Sequence, residues 1–200
     1  GTICTKSSST SISWTPPLDF ANGAPNGTSV YVSFTITTYN GNTAIGSNTS
    51  SITCVIPTSV VPTVSIAVSD PNGYLSTYGG YIQGKSKFKI DVTASGKYYS
   101  TIASYKTTVD GKTFTSSSFT TDVIQGSGML SISCTVTDSR GRTATVTKSI
   151  TVLAYSAPKI TALTVYRSNS DGAANSTGSY LSVKFSASIT SLNSKNSATY

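Results

Sequence analysis

The chain has no histidine and no glutamate, and its seven acidic residues are Asp19, Asp70, Asp91, Asp110, Asp122, Asp138 and Asp171. Without histidine, a serine or cysteine nucleophile lacks its usual base, and zinc loses its commonest nitrogen ligand. Ser-Lys chemistry would need a Ser-x-x-Lys spacing at a helix start; none sits at one, and Ser191 and Lys195 are wrongly spaced. Paired-carboxylate hydrolysis would need two aspartates, one with a raised pKa. Asp70, Asp110, Asp138 and Asp171 instead stand in Asp-Pro-Asn-Gly, Asp-Gly, Asp-Ser-Arg-Gly and Asp-Gly contexts, which read as turns. Gly79-Gly80 and Gly126-Ser127-Gly128 open no helix and so cradle no phosphate. The oxygens at 70–73 and 169–172 lack the bidentate glutamate and spacing of an EF-hand. The expectation is a chain that is not an enzyme, with no catalytic residue, no metal site and no cofactor.

Charge is also scarce. Only 10% of residues are charged, and the net charge is +7. The main reading is a sparsely charged, mildly basic surface; the alternative is attraction to polyanions such as teichoic or nucleic acid. Lys85, Lys87 and Lys89 recur at period two and would line one face of a single strand. They lack the arginine and aromatic interleaving of a nucleic-acid platform, so no nucleic-acid partner is expected. The three cysteines, Cys4, Cys54 and Cys134, form no Cys-x-x-Cys. Cys54 and Cys134 continue apolar strand faces and read as small buried hydrophobes. A Cys4–Cys54 bridge stays open and would leave Cys134 alone. No apolar run is long enough to cross a membrane. No signal peptide is visible, and Gly1 stands in what reads as strand, so the chain is expected to be an internal fragment.

Serine and threonine make up about a third of the chain, which suits strands and turns more than helices. The clearest segment is Met129 to Leu153. Leu130, Ile132, Cys134 and Val136 share one face of a first strand; Ala144, Val146, Ile150 and Val152 mark a second, with a phase slip near Lys148-Ser149. Asp138-Ser139-Arg140-Gly141 turns between them, a β-hairpin signal. Val109-Asp110-Gly111-Lys112 predicts another hairpin, because Asp-Gly tolerates a type I′ turn.

Two proline-marked joints divide the chain, one ending at Pro57 to Pro62 and one at Pro158. The segments beyond them repeat: strand, polar glycine-bearing loop, a Gly-x-Tyr, then a second strand. The period is roughly 95 residues, close to one immunoglobulin-like domain. The middle domain, 58–156, predicts strands near 62–69, 86–94, 102–109, 112–115, 119–124, 128–137 and 143–153. Residues 1–57 read as the C-terminal part of a preceding module, with strands near 2–6, 10–15, 29–39 and 49–56. Residues 157–200 read as the start of a further one, ending at Tyr200 inside another strand. The fold expectation is all-β: tandem immunoglobulin-like antiparallel β-sandwiches, the first and last modules incomplete.

Aromatic residues near loops are the candidate glycan contacts: Tyr74, Tyr78, Tyr98 and Tyr99, with Tyr81 and Trp14 also considered. Rings of this kind are more often packed into a core or sheet face. The sequons at Asn26, Asn48 and Asn175 matter only in a eukaryotic secretory setting.

The stretches YIQGKSK (81–87), IASYKTTVDGKTF (102–114), VTDSRGRTAT (136–145) and AYSAPKI (154–160) resemble a family of siphophage minor structural proteins. These are tail-associated proteins of phages of Gram-positive bacteria. VYRSNSDGAAN (165–175), WTPPL (14–18), TYNGNTAIG (38–46) and the Val61-Pro62 joint extend the resemblance over most of the chain. The motifs are turn-and-strand motifs, and no catalytic residue carries over. The resemblance implies a virion tail component, in fibre, tip or surface decoration, that spaces or presents host-recognition elements. Its partners would be other tail proteins, with host cell-wall polysaccharide and a homo-oligomer as further expectations. The alternative is a bacterial cell-surface adhesin or stalk built from similar repeats.

Overall fold

Strands rich in valine, isoleucine and threonine need an opposing surface to bury their apolar face. A computed structural model describes residues 3–5 and 7–199. Its strands are β1 (Ser29–Asn40), β2 (Thr43–Val55), β3 (Thr63–Ser69), β4 (Tyr81–Ile82), β5 (Lys89–Ser95) and β6 (Ile102–Val109). They continue as β7 (Lys112–Phe114), β8 (Ser118–Thr120), β9 (Gly128–Asp138), β10 (Thr143–Leu153), β11 (Lys159–Ser168) and β12 (Tyr180–Ser188). A 3-10 helix, Leu18–Gly23, and a short α-helix, α1 (Tyr74–Tyr78), complete the described elements.

The middle of the chain is an immunoglobulin-like sandwich. β3-β5-β8 form one antiparallel sheet, and β4-β10-β9-β6-β7 form the other. Among the described residues only β4 pairs in parallel, through Tyr81 with Val152 and Ile82 with Leu153. Gly80 makes that approach: a Cβ there would lie 2.9 Å from the Leu153 side chain. Phe88, Ile90 and Val92 from one layer meet Ile132, Cys134, Val136 and Val152 from the other. The Tyr81 ring stands edge-on to Phe88, 4.7 Å between centroids. Full burial of each large apolar side chain contributes roughly 1.5–3 kcal/mol. The sandwich therefore has a core of its own.

Turns set the register. Asp110 and Gly111 adopt φ of 48° and 73°, as the Asp-Gly pattern predicts. The Asp110 carboxylate then accepts the N–H groups of Gln125 and Gly126 at 2.7 and 3.1 Å, which ties the 121–127 segment to the β6–β7 hairpin. Asp70 likewise accepts from Asn72 and Leu75, and Asp171 from Ala173. These aspartates act as turn residues.

The flanking parts are two long hairpins. β1–β2 pair from Ser29↔Val55 to Asn40↔Thr43, and β11–β12 from Lys159↔Ser188 to Ser168↔Tyr180. Neither has a second sheet over it among the described residues. All three cysteines are free: Cys134 is buried, Cys54 half-buried and Cys4 exposed.

Several expectations need correction. No strand forms among residues 3–5 or 7–15, nor among 189–199 where a further strand is expected; positions 2, 6 and 200 lie outside the described residues. Residues 7–15 find no strand partner, and propensity alone does not hold an isolated strand. The β8 strand ends at Thr120, and 121–127 runs on without sheet pairing. The expected phase slip at Lys148 is absent: β9–β10 pair continuously, and Lys148 stands opposite Ile132 on the apolar face. Lys85 and Lys87 precede β5, so the three lysines do not share a strand. Lys89 pairs with Asp91 at 3.3 Å, and Lys85 lies over the Tyr155 ring at 5.6 Å.

Thr107 is fully buried, and its hydroxyl has no hydrogen-bond partner among the described residues. A buried unpaired hydroxyl costs about 1–3 kcal/mol. Thr107→Val keeps the branched shape and is expected to stabilise the chain by about 1 kcal/mol in denaturant unfolding.

The pH response follows from the residues present. A hydrogen bond from Ser118 holds the Asp91 carboxyl below its usual range, and one from Lys112 does the same for Asp122. A carboxyl depressed in the folded state adds stability above its unfolded pKa and loses it as pH falls through the folded value. No histidine titrates in between. Melting temperature should stay flat from about pH 6 to 8 and fall only below about pH 4. A step near pH 6.5 would contradict this account.

Candidate functional site at the module joints

The turn between β9 and β10 does more than reverse the chain. Asp138 is buried, and its Oδ1 accepts the N–H groups of Arg140 and Arg142 at 3.0 and 2.9 Å. Its Oδ2 accepts from the Ser100 hydroxyl at 3.2 Å. This cap folds the turn so that Arg140 points away from the sandwich and into the N-terminal part of the chain.

Arg140 is only 6% exposed. Its guanidinium donates to four carbonyls. Nε reaches Ala24 at 2.9 Å, and Nη2 reaches Ala21 at 2.8 Å; Ala21 lies in the 3-10 helix and Ala24 caps its C-terminal end. Nη1 reaches Lys97 and Nη2 also reaches Tyr98, both at 2.6 Å, in the loop after β5. One planar cation thus bonds to both sides of the joint. Arg142 adds Nη1 to Pro57 at 2.9 Å and Nη2 to Ile56 at 3.0 Å, on the linker itself. The Ser139 hydroxyl donates to the Pro25 carbonyl at 2.6 Å. A small apolar cluster of Ala21, Ile56 and Val60 lies beneath, with Ala24, Val30 and Tyr98 against it.

The 96–100 loop is shaped for this. Tyr98 and Tyr99 sit at φ of 51° and 62°, an uncommon conformation for bulky residues. Gly96 admits no side chain, since a Cβ would lie 2.1 Å from the Ser100 carbonyl oxygen. The tight loop presents two consecutive carbonyls to one guanidinium.

The second joint has neutral hydrogen bonds, with the Lys85 ammonium over the Tyr155 ring beside them. Tyr155 N–H donates to Gln83 Oε1 at 3.3 Å, and Ser156 N–H to Thr190 Oγ1 at 3.1 Å. Asn193 Nδ2 donates to the Tyr78 carbonyl at 2.8 Å, and Leu192 is buried beside it. A cleft of about 630 Å³ opens there, lined by Tyr78, Tyr155, Ile160, Phe185 and Leu192 among others.

The four candidate tyrosines do not converge. Tyr74 and Tyr78 neighbour each other on α1, ring centroids 6.2 Å apart. Tyr98 and Tyr99 flank the Arg140 turn, at the other end of β10 from Leu153. An antiparallel strand of 11 residues such as β10 spans roughly 35 Å. Tyr98 is half-buried in the joint cluster, whereas Tyr99 is 76% exposed. Tyr81 is a core residue. Trp14 packs edge-on against Phe20 and Phe34, at 5.4 and 5.7 Å. The joint role of Arg140 was not anticipated from sequence, which showed only a polar turn. The available signal was two arginines, Arg140 in the turn and Arg142 just after it, in a chain so poor in charge.

The latch has a measurable weight. Arg140→Ala leaves four carbonyls without their shared donor and should cost about 2–4 kcal/mol in denaturant unfolding. Arg140→Lys should recover little, because an ammonium cannot span the same fork. Arg142→Ala, at a half-exposed position, should cost under about 1 kcal/mol.

Among solved structures, the Clostridium thermocellum CbhA fibronectin(III)-like modules are similar at 18% identity, over 64% of this chain and 86% of that one, with a TM-score of 0.35. No curated protein sequence matches. The model of one family, described as "Siphovirus protein of unknown function (DUF859)", matches residues 1–197. An all-β chain whose middle sandwich is tied to its N-terminal part through the Arg140 turn is thus matched over nearly its whole length, and it belongs to this siphovirus protein family.

Proposed function

We propose that the chain is a structural component of the siphovirus tail, without catalytic activity, whose immunoglobulin-like modules hold a host-recognition element at a set distance. The Arg140 latch supports this reading most directly. A buried cation shared by both sides of a joint resists bending, and a spacer has to keep its direction. Family membership supplies the virion setting. The host is a Gram-positive cell, on the resemblance of the turn-and-strand motifs.

The finer part of the proposal concerns contact with the host surface. Tyr74 and Tyr78 form a side-by-side pair of rings with hydroxyls at their tips, a surface on which a saccharide ring can stack. Tyr98 is committed to the joint and is not assigned this role.

Antibody raised to residues 60–156 and imaged on intact virions should label the tail. Label on the capsid alone, or on the host wall without virions, would sink the tail reading; the latter would favour a cell-surface stalk. In parallel, the labelled chain should bind host cells or their purified wall polysaccharide saturably. Tyr74→Ala with Tyr78→Ala should weaken that binding at least tenfold. No binding by a folded chain would leave a spacer and remove the receptor contact.

A further inference from the structure

The β11–β12 hairpin repeats one layer of the middle sandwich at a fixed offset. Leu163↔Phe185 occupies the place of Val68↔Ile90, and Thr164↔Lys184 that of Ser69↔Lys89. The loops that follow agree as well: Asn193 and Ser194 take φ of 53° and 57°, as Tyr98 and Tyr99 do. Phe185 therefore belongs to the face that meets a second sheet, and Lys184 to the face turned away from it. In the middle sandwich, where both layers are present, that outward face stays open: the side chains of Lys89 and Asp91 are 36% and 51% exposed.

What stands on this outward face differs between the two copies. Lys89 is neutralised by Asp91 at 3.3 Å. At the place of Asp91 the later copy has Ser186, and Lys184 pairs with no carboxylate among the described residues. Its ammonium lies 5.4 Å from the Tyr166 ring centroid. Hydrogen bonds from Lys184 and then Ser182 hold the Tyr166 phenol below its ordinary range, and Tyr166 in turn holds the Lys184 ammonium above its own. Tyr166 stands opposite Ser182; Tyr180 precedes Ser182 by two residues on the same face and is 58% exposed. Two rings and one unneutralised cation thus share a stretch of roughly 13 Å along β12.

The loop 169–178 adds a wall to this face. The Tyr166 hydroxyl donates to the Gly172 carbonyl at 3.4 Å, and a Cβ on Gly172 would lie 3.9 Å from Ser182 Oγ. The loop is braced from within: Asn175 Nδ2 donates to Asn169 Oδ1 at 2.7 Å, and the Asn175 N–H to the Arg167 carbonyl at 2.9 Å. A corner already arranged loses little freedom when a ligand is seated. Charge points the same way. Residues 157–200 hold four cations, Lys159, Arg167, Lys184 and Lys195, against one carboxylate, Asp171. Residues 1–57 are balanced, with Lys6 and Asp19.

We propose that this corner, formed by Tyr166, Tyr180, Ser182 and Lys184 beside the 169–178 loop, binds an anionic saccharide chain. The tyrosine rings offer flat faces to the C–H side of a sugar ring. The Lys184 ammonium gives a phosphate or carboxylate on that chain a charge-assisted partner, which the neutralised Lys89 does not. Such a chain would come from the host surface, a source that rests on the host-contact reading above, and the corner uses neither Tyr74 nor Tyr78.

The test uses the 200-residue chain and fluorescent dextrans of equal length: plain, phosphorylated or carboxymethylated. In anisotropy titrations the chain should bind both charged dextrans saturably, more weakly as salt rises, and the plain one at least about tenfold more weakly. Lys184→Gln and Tyr180→Ala should each weaken the charged dextrans at least about fivefold, with the unfolding midpoint unchanged. Lys89→Gln should change binding less than about twofold, since Asp91 already screens that lysine. A folded chain that ignores the charged dextrans overturns the proposal. So does an equal loss in Lys184→Gln and Lys89→Gln, or equally tight binding of a single-stranded oligothymidine, which would mean unspecific attraction to polyanions. Host cells give the separate reading. Binding to cells but to no charged dextran sinks the corner and spares host contact; binding to charged dextran but to no cells upholds the corner and removes host contact.

Discussion

The arrangement of the first two parts of the chain depends on one buried guanidinium. Arg140 serves carbonyls on both sides of a joint that has only a small apolar cluster of its own. Those carbonyls are the open ends of irregular segments, a 3-10 helix and a tight loop, which have no ladder to join. Ala21, Ala24 and Lys97 already accept turn hydrogen bonds from the N–H groups of Ala24, Gly27 and Ser100, so the guanidinium fills further lone pairs on buried carbonyls and bridges segments that share no bond of their own ladder. A fork of nitrogen donors on a planar group meets several at once, which neither lysine nor a hydroxyl can do. The cost of burying the cation is offset because its donors are aimed at carbonyl dipoles. Asp138 adds to this by fixing the turn through hydrogen bonds to the Arg140 and Arg142 N–H groups and the Ser100 hydroxyl.

The middle sandwich makes such a joint workable. Its two sheets close over one core, so the β9–β10 turn projects from a rigid base. Position on that base is set by strand register, and register is set by the turns at Asp110-Gly111 and Asp138–Gly141. Slipping β9 by one residue would turn Ile132, Cys134 and Val136 outward. It would also move Arg140 off its acceptors. Core packing and joint geometry are therefore one constraint, imposed by the same hairpin.

Much of this was legible in the sequence where period-two alternation met a turn signal. β9–β10, β6–β7 and β3 fall close to where the alternation predicts them. Proline stands in both links where strand pairing stops, between β2 and β3 and between β10 and β11, since it cannot continue a ladder. Legibility failed where structure depends on contacts distant in sequence. The Thr10 to Thr15 stretch alternates as a strand should, yet no partner edge is beside it. α1 has only five residues, too few for a helical period to show. The supposed phase slip at Lys148 came from reading a lysine as outward-facing; its long stem reaches solvent from the apolar side. The joint itself was illegible, because nothing local to Asp138–Gly141 says that Ala21 and Ala24 will lie above it.

Repetition changes what a single hairpin means. A lone amphipathic hairpin says only that something covers it. Here the same chain shows, in its middle, what covers each of the two kinds. The β9–β10 face meets the β3–β5 face through complementary rows of branched and aromatic side chains. The β1–β2 and β11–β12 faces keep those rows at the same registers, with Ile36 in place of Cys134 and Phe185 in place of Ile90. The hydroxyl ladder on the far side of β1–β2 marks which face is meant for water. Each end hairpin therefore carries one of the two layers whose packing stabilises the central module.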